Sequence, residues 1–233
     1  MNFNRINTKW GEMFHLAGDN DSLLTLLAKK GSYQPYIIDL AQKCTKNNHN
    51  KNIIDIGANI GVHSIPIAKS NRLSKVYAFE PCPENFLSLE QNKRHHNLAN
   101  LNIFSYGLGA RQEQKTFYQV PSRRGASSFD VTGLDLKTVV KKELPIYPLD
   151  DFLDSLENIG FIKIDVQNFE YQVLLGARKL IERDHPSIMV ECPARDMYEK
   201  EEYRKITKLL SKLGYIEIKR YNKDCLFTYQ KNN

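Results

Sequence analysis

Asp55, Gly57 and Gly61 fall in the run Asp55-Ile-Gly-Ala-Asn-Ile-Gly61, and Glu80 closes a second apolar run one helix further on. Each has a distinct chemical capacity. Gly57 lets the chain turn tightly against a ligand, and Gly61 lets the next helix begin close to it. Free peptide N–H groups at such a helix start can meet a carboxylate. Asp55 can accept hydrogen bonds from an ammonium, directly or through water. Glu80 can reach two neighbouring ribose hydroxyls with its two oxygens. A dinucleotide site would read Gly-x-Gly-x-x-Gly, the middle glycine making room for pyrophosphate. Here Ala58-Asn59-Ile60 separates only two glycines. The two signals, in this order, favour a ligand with an amino acid at one end, a ribose in it and no pyrophosphate. S-adenosylmethionine fits that description, and hydride transfer on a dinucleotide is the weakest alternative.

Three further acids have the placing that chemistry needs. Asp165 ends the apolar run FIKIDV, Glu170 opens the following helical stretch, and Glu191 ends SIMVEC. In open α/β sheets, ligands sit beyond the carboxyl ends of the strands. Two uses are open. Asp165 or Glu191 can take a proton from an acceptor hydroxyl. Alternatively Asp165 and Glu191, with Asp150-Asp151 nearby, can hold Mg²⁺ or Mn²⁺ and lower the pKa of a bound hydroxyl. The histidines read as structural: His63 packs or caps a first turn, His95-His96 sit near a helix end, and His185 lies in a loop. Cys44, Cys82, Cys192 and Cys225 lack any zinc or redox spacing and read as reduced thiols.

Strands and helices must alternate to bring these residues together. Apolar runs at 52–57, 75–81, 101–109, 161–166 and 187–192 predict strands, and the stretches 61–69, 83–96, 169–183 and 198–213 predict helices between them. That alternation is an α/β fold, a doubly wound, Rossmann-like, mostly parallel sheet. YIEIKRY and CLFTYQ flank Asn222-Lys223-Asp224 and predict a closing antiparallel hairpin, which gives a seven-stranded sheet of the methyltransferase type. Residues 1–233 read as a single domain. Within it, 1–50 are expected to form a helical N-terminal cover over a core at 51–233, and 110–150 a long insertion on the ligand side.

Composition narrows the setting. The net charge of +6 comes from 33 basic and 27 acidic residues that are dispersed in sequence, so a nucleic-acid partner is not expected from charge alone. No apolar run approaches a membrane span and no secretory leader is evident, so a cytoplasmic location is expected. Oligomeric state is not legible.

The stretches IIDIGANIGVHSIPIA, VYAFEPCPENFLSLEQN, GLGA, LDDFL, FIKIDVQNFEYQVLLGA and PSIMVEC, in this order from Asn52 to Cys192, resemble the FkbM-type methyltransferase family. The resemblance implies transfer of a methyl group from S-adenosylmethionine to oxygen, on a hydroxyl of a sugar, glycan or related small molecule. It implies cofactor contacts at Asp55, Gly57, Asn59, Gly61 and Glu80, with Gly107 and Leu108 near the adenine. Asp165 would lie near the reactive methyl, and Gln34 and Ser128, beside Tyr33 and Ser127, would lie near the ligands. The family commonly reads Asp-Val-Glu-Gly-x-Glu where this chain has Asp165-Val166-Gln167-Asn168-Phe169-Glu170. Gln167 keeps an acceptor but is neither a base nor a strong metal ligand. Two other readings stand beside O-methylation: an RNA methyltransferase, and a methyltransferase-like scaffold that binds the cofactor without turnover.

Overall fold

The computed structural model describes residues 2–18, 21–46, 51–192 and 197–231. The chain opens with a two-stranded antiparallel hairpin, β1 (Phe3–Thr8) and β2 (Gly11–Leu16), followed by α1 (Ser22–Lys30) and α2 (Pro35–Lys46). It continues through β3 (Asn52–Ile56), α3 (Ser64–Ser70), β4 (Val76–Phe79), α4 (Pro83–His95), β5 (Leu101–Phe104) and the short β6 (Gly107–Leu108). β7 (Glu113–Gln119) and β8 (Val140–Tyr147) precede β9 (Ile159–Ile164), α5 (Glu170–Leu175), α6 (Arg178–Asp184) and β10 (Ser187–Glu191). The chain closes with α7 (Met197–Lys212), β11 (Tyr215–Tyr221) and β12 (Asp224–Tyr229).

Seven of these strands form one sheet in the order β11-β12-β10-β9-β3-β4-β5. The five strands from β10 to β5 run parallel, and β12 pairs antiparallel with β10 and with β11. β3, β4 and β9 are apolar and buried almost end to end, as a parallel sheet covered on both faces requires. One face packs on α5, α6 and α7 through Ile162, Ile164, Leu174 and Leu210, and the other on α1 to α4 through Ile53, Phe161, Ile65 and Leu89. The expected parallel sheet with its closing hairpin is present. No helix among the described residues is long and apolar enough to cross a membrane.

Three elements depart from the expectation, each for a local reason. The N-terminal cover is not wholly helical, because residues 3–16 form the β1–β2 hairpin. Ile6 pairs with Met13 and both turn inward, while their polar neighbours face out, the period of a strand rather than of a helix. The expected strand at 101–109 divides after Phe104. Its second part, β6, leaves the main sheet and joins β8 and β7 of the insertion in a three-stranded sheet, order β6-β8-β7.

The expected helix at 169–183 breaks between α5 and α6. A Cβ at Gly176 would lie 1.9 Å from the Gly109 carbonyl oxygen, and the Gly176 carbonyl accepts from Asp150 N over 2.9 Å. The Asp150 carboxylate then accepts from Lys179 N and Leu180 N, each at 3.0 Å, and so caps the new helix start. Asp150 is thereby a structural cap, and not a member of an acid cluster.

Candidate active site

The glycine turn after β3 is dictated by a close backbone crossing. Gly57 has φ +78°, and a Cβ there would sit 1.8 Å from the Asp165 carbonyl oxygen, so the turn leaves no room for a side chain. Gly57 N and Ala58 N both donate to the Phe79 carbonyl at 3.0 Å, which ties the turn to β4. Asn59 follows at φ +54°, and its N–H donates to Glu80 Oε2 over 2.8 Å. Glu80 Oε1 accepts from Cys82 N at 3.0 Å and from Asn85 Nδ2 at 3.4 Å. Burial pushes the Glu80 carboxyl up to about 7 even with these donors around it. Oε2, with Asn59 N its one donor, keeps lone-pair capacity for a further one.

A cavity of about 280 Å³ opens over this turn. Gly57, Asn59 and Glu80 line it, as do Gly107, Leu108 and Asp165. An aromatic wall comes from Tyr106, Phe117, Phe129 and Phe169. The roof is a short helical turn at 124–126, tied down where Gly125 N donates to Asp21 Oδ2 over 2.7 Å. The other oxygen of Asp21 caps α1 at Leu23 N, so the insertion and the N-terminal cover meet above the glycine turn. Of the insertion, Phe117, residues 123–127 and Phe129 line this cavity.

Four residues expected to touch a cofactor stand elsewhere. Asp55 is fully buried beneath the turn, with Ser64 Oγ donating to it and Lys163 Nζ 3.0 Å from its Oδ1. The same ammonium donates to the Gly57 carbonyl at 2.9 Å. Asp55 therefore positions Lys163 and the turn, and does not line the cavity. Gly61 faces Ile65 and Leu89, where a Cβ would come within 2.8 Å of each, so it serves packing between α3 and α4. Gln34 donates to Asp224 Oδ2 over 2.7 Å, and Ser128 donates to the Gln167 carbonyl. Neither lines the cavity, although their neighbours Tyr33 and Ser127 do.

The acids beyond β9 and β10 do converge. One oxygen each of Asp165, Glu170 and Glu191 lies within 4.8 Å of the others. Asp165 alone of the three faces the cavity, while Glu170 and Glu191 border a shallow depression behind it, beside Cys192 and Tyr203. Gln167 Nε2 donates to Asp165 Oδ1 and to Glu191 Oε2, each at 2.8 Å. Lys223 donates to the other Glu191 oxygen. A divalent ion between Asp165 and Glu191 would have to displace an amide nitrogen that points its hydrogens at both, so the donor set as arranged does not fit a metal.

The protonation states in the cluster differ. Burial favours a neutral Asp165, but the ammoniums of Lys163 and Lys223 and the Gln167 amide outweigh it and hold the carboxyl below its usual range. Glu170, buried and accepting from Val166 N at 2.9 Å, is pushed up to about 7 by its burial.

Sequence reasoning missed several lining residues. His63 lines the cavity with a ring pushed down to about 4 by burial and by Lys163, and its Nε2 lacks a hydrogen-bond partner among the described residues. Lys163 stands two residues before Asp165, so its side chain leaves the same face of β9, and that period-2 relation was a usable signal. Lys223 carried no signal, because a lysine in a hairpin turn is ordinary. The aromatic wall draws on three separate segments, and only the fold assembles it.

The model of the methyltransferase FkbM domain matches residues 55–217. Methyltransferase 1 of Beauveria bassiana is 28% identical over 142 residues, covering 53% of this chain and 57% of that protein. Among solved structures, a methyltransferase FkbM of Methylobacillus flagellatus superposes with a TM-score of 0.54 at 17% identity, over 89% of this chain and 52% of that one. A precorrin-6y methyltransferase of Geobacter metallireducens gives 0.50 at 11% identity, over 84% and 88%. The chain thus spans little more than half the length of the fungal relative and of the first of these structures. At such identities the two superpositions speak to the fold alone.

Proposed function

Because the chain belongs to the methyltransferase FkbM family, we propose that it transfers a methyl group from S-adenosylmethionine to a hydroxyl oxygen of a sugar, glycan or related small molecule. One observation carries this reading. A single cavity presents Glu80 from the end of β4 and Asp165 from the end of β9, on either side of the glycine turn that ends β3. A carboxylate for ribose hydroxyls and a carboxylate for an acceptor proton then face the same small ligand space.

When bound, S-adenosylmethionine supplies an electrophilic methyl on a sulfonium, which leaves as a neutral thioether. The protein's task is to align the acceptor oxygen and relieve it of its proton. Asp165 Oδ1 is held by the Gln167 amide, which leaves Oδ2 to accept the hydroxyl hydrogen and take the proton as the new C–O bond forms.

The test is transfer of labelled methyl from S-adenosylmethionine to a panel of free sugars, glycans and RNA, with and without a chelator. Labelled carbohydrate, formed equally in chelator, is the expected result. Transfer to RNA alone would replace the substrate class. Tight cofactor binding with transfer to nothing in the panel would favour the non-catalytic scaffold.

A further inference from the structure

Lys223 occupies the two-residue turn between β11 and β12, and no role in the chemistry described so far falls to it. Its place is built from three sides. The Lys223 carbonyl accepts from Cys192 N over 2.7 Å, which fixes the turn against the end of β10. The next residue, Asp224, is buried and accepts from Gln34 Nε2 at 2.7 Å and from the Tyr36 hydroxyl, both on or beside α2. Asn222, before it, holds φ +57°. The backbone on both sides is thus pinned, and the side chain is directed to Glu191 while lining the cavity that holds Asp165. About a third of that side chain stays accessible, so its ammonium keeps hydrogens for a ligand.

We propose that Lys223 is a catalytic residue, one whose ammonium contacts the acceptor oxygen and carries the negative charge that develops there as Asp165 withdraws the proton. This rests on the methyl-transfer reading above. In that step the acceptor O–H bond breaks toward Asp165 Oδ2, the C–O bond forms from the oxygen's electron pair, and the C–S pair stays on the leaving sulfur. Lys223 neither gains nor loses a proton. Glu191 orients it, and Gln167 couples that pair to Asp165 through one shared amide nitrogen. A fixed cation aimed where charge develops is the device by which such sites lower a barrier without reorganising.

The test uses Lys223→Met and Lys223→Arg, with thermal unfolding to show that both fold. Calorimetric affinities for S-adenosylmethionine and S-adenosylhomocysteine require no acceptor. A cation beside the reacting methyl opposes the charged sulfonium and not the neutral thioether, so Lys223→Met should raise the preference for S-adenosylmethionine by about three- to tenfold. Lys223→Arg should leave that preference unchanged. With a carbohydrate that accepts label, Lys223→Met should lower kcat by about 100-fold or more with KM little altered, and Lys223→Arg should keep at least about a tenth of kcat. An unchanged preference, or kcat within about threefold of the parent in Lys223→Met, overturns the proposal. Failure of the parent protein to bind either compound defeats the methyl-transfer reading itself, and the role of Lys223 with it.

Discussion

Lys163 Nζ stands 3.0 Å from Asp55 Oδ1, and the two side chains are only 3% and 1% exposed. A buried pair of this kind costs much to assemble, but far more to leave half-made, because the remaining charge has no solvent. Lys163→Met should therefore lower the stability to urea by about 3–5 kcal/mol. The double variant with Asp55→Asn should recover part of that loss, since no uncompensated charge remains. Equal stability of the single and double variants would show that the pair is not what is being lost.

Two left-handed glycines separate shape from strain. At Gly133, φ is +77° and a Cβ meets nothing within 4 Å, so Gly133→Ala should cost only the conformational term of about 1–2 kcal/mol. At Gly57 the Cβ meets the Asp165 carbonyl as well, so Gly57→Ala should cost clearly more and abolish binding of S-adenosylhomocysteine. Urea unfolding and calorimetry measure both, and a Gly57→Ala protein that binds normally would contradict the close crossing.

Gln167→Glu replaces an amide that donates to two carboxylates with another acid. The ligand-free variant should unfold several degrees below the parent, because like charges would then share one buried cluster. Mn²⁺ should raise its melting temperature by more than it raises the parent's, as a cation takes over the bridging that the amide performs. A thermal-shift series in Mn²⁺ reads both effects.

Glu170 gives the molecule a pH dependence whose sign follows from burial. Its carboxyl rises from 4.5 in the open chain to about 7 when folded. The stability it contributes is therefore whole below 4.5 and is lost as pH climbs through about 7. The ligand-free protein should melt several degrees lower at pH 8 than at pH 5. Glu170→Gln keeps an acceptor for Val166 N and removes the titration, so its melting curve should be flatter over that range. Glu80 adds a second loss of the same sign, and the buried His63, held down to about 4 from 6.5, offsets part of the two between those values.

The sheet was legible because its strands are buried on both faces, which writes runs such as NIIDI and FIKI directly into the sequence. The glycine turn was legible for a similar reason: only residues without Cβ pass so close to β9. What stayed hidden depends on contacts distant in sequence. The break after α5 comes from Asp150, and nothing between 169 and 183 announces it except Gly176. The β1–β2 hairpin is short and polar outside, so two buried apolar residues, Ile6 and Met13, were too little pattern to set against helical neighbours.

Within the site, types and order picked out Glu80 and Asp165 but could not say which acids line the cavity. Asp55 looked like a ligand contact because its sequence position is right. Lys163, buried one strand away, claims it instead. Gln34 looked adjacent to the ligand for its closeness to Tyr33, yet its partner lies 190 residues later. Pairings of that range follow from topology, not from local composition.

That long-range bond also ties the site to two distant stretches of the chain. Gln34 and Tyr36 emerge early during synthesis, while Asp224, which accepts from both, emerges among the last residues described. Until β12 has slotted between β10 and β11, the turn bearing Lys223 has nothing to hold it against Glu191. The glycine turn and Glu80 rest on β3, β4 and β9, whereas the charges of the acid cluster are balanced only through the turn that precedes β12. A chain shortened before residue 224 lacks the strand between β10 and β11 and should lose both the hold on Lys223 and much of its stability.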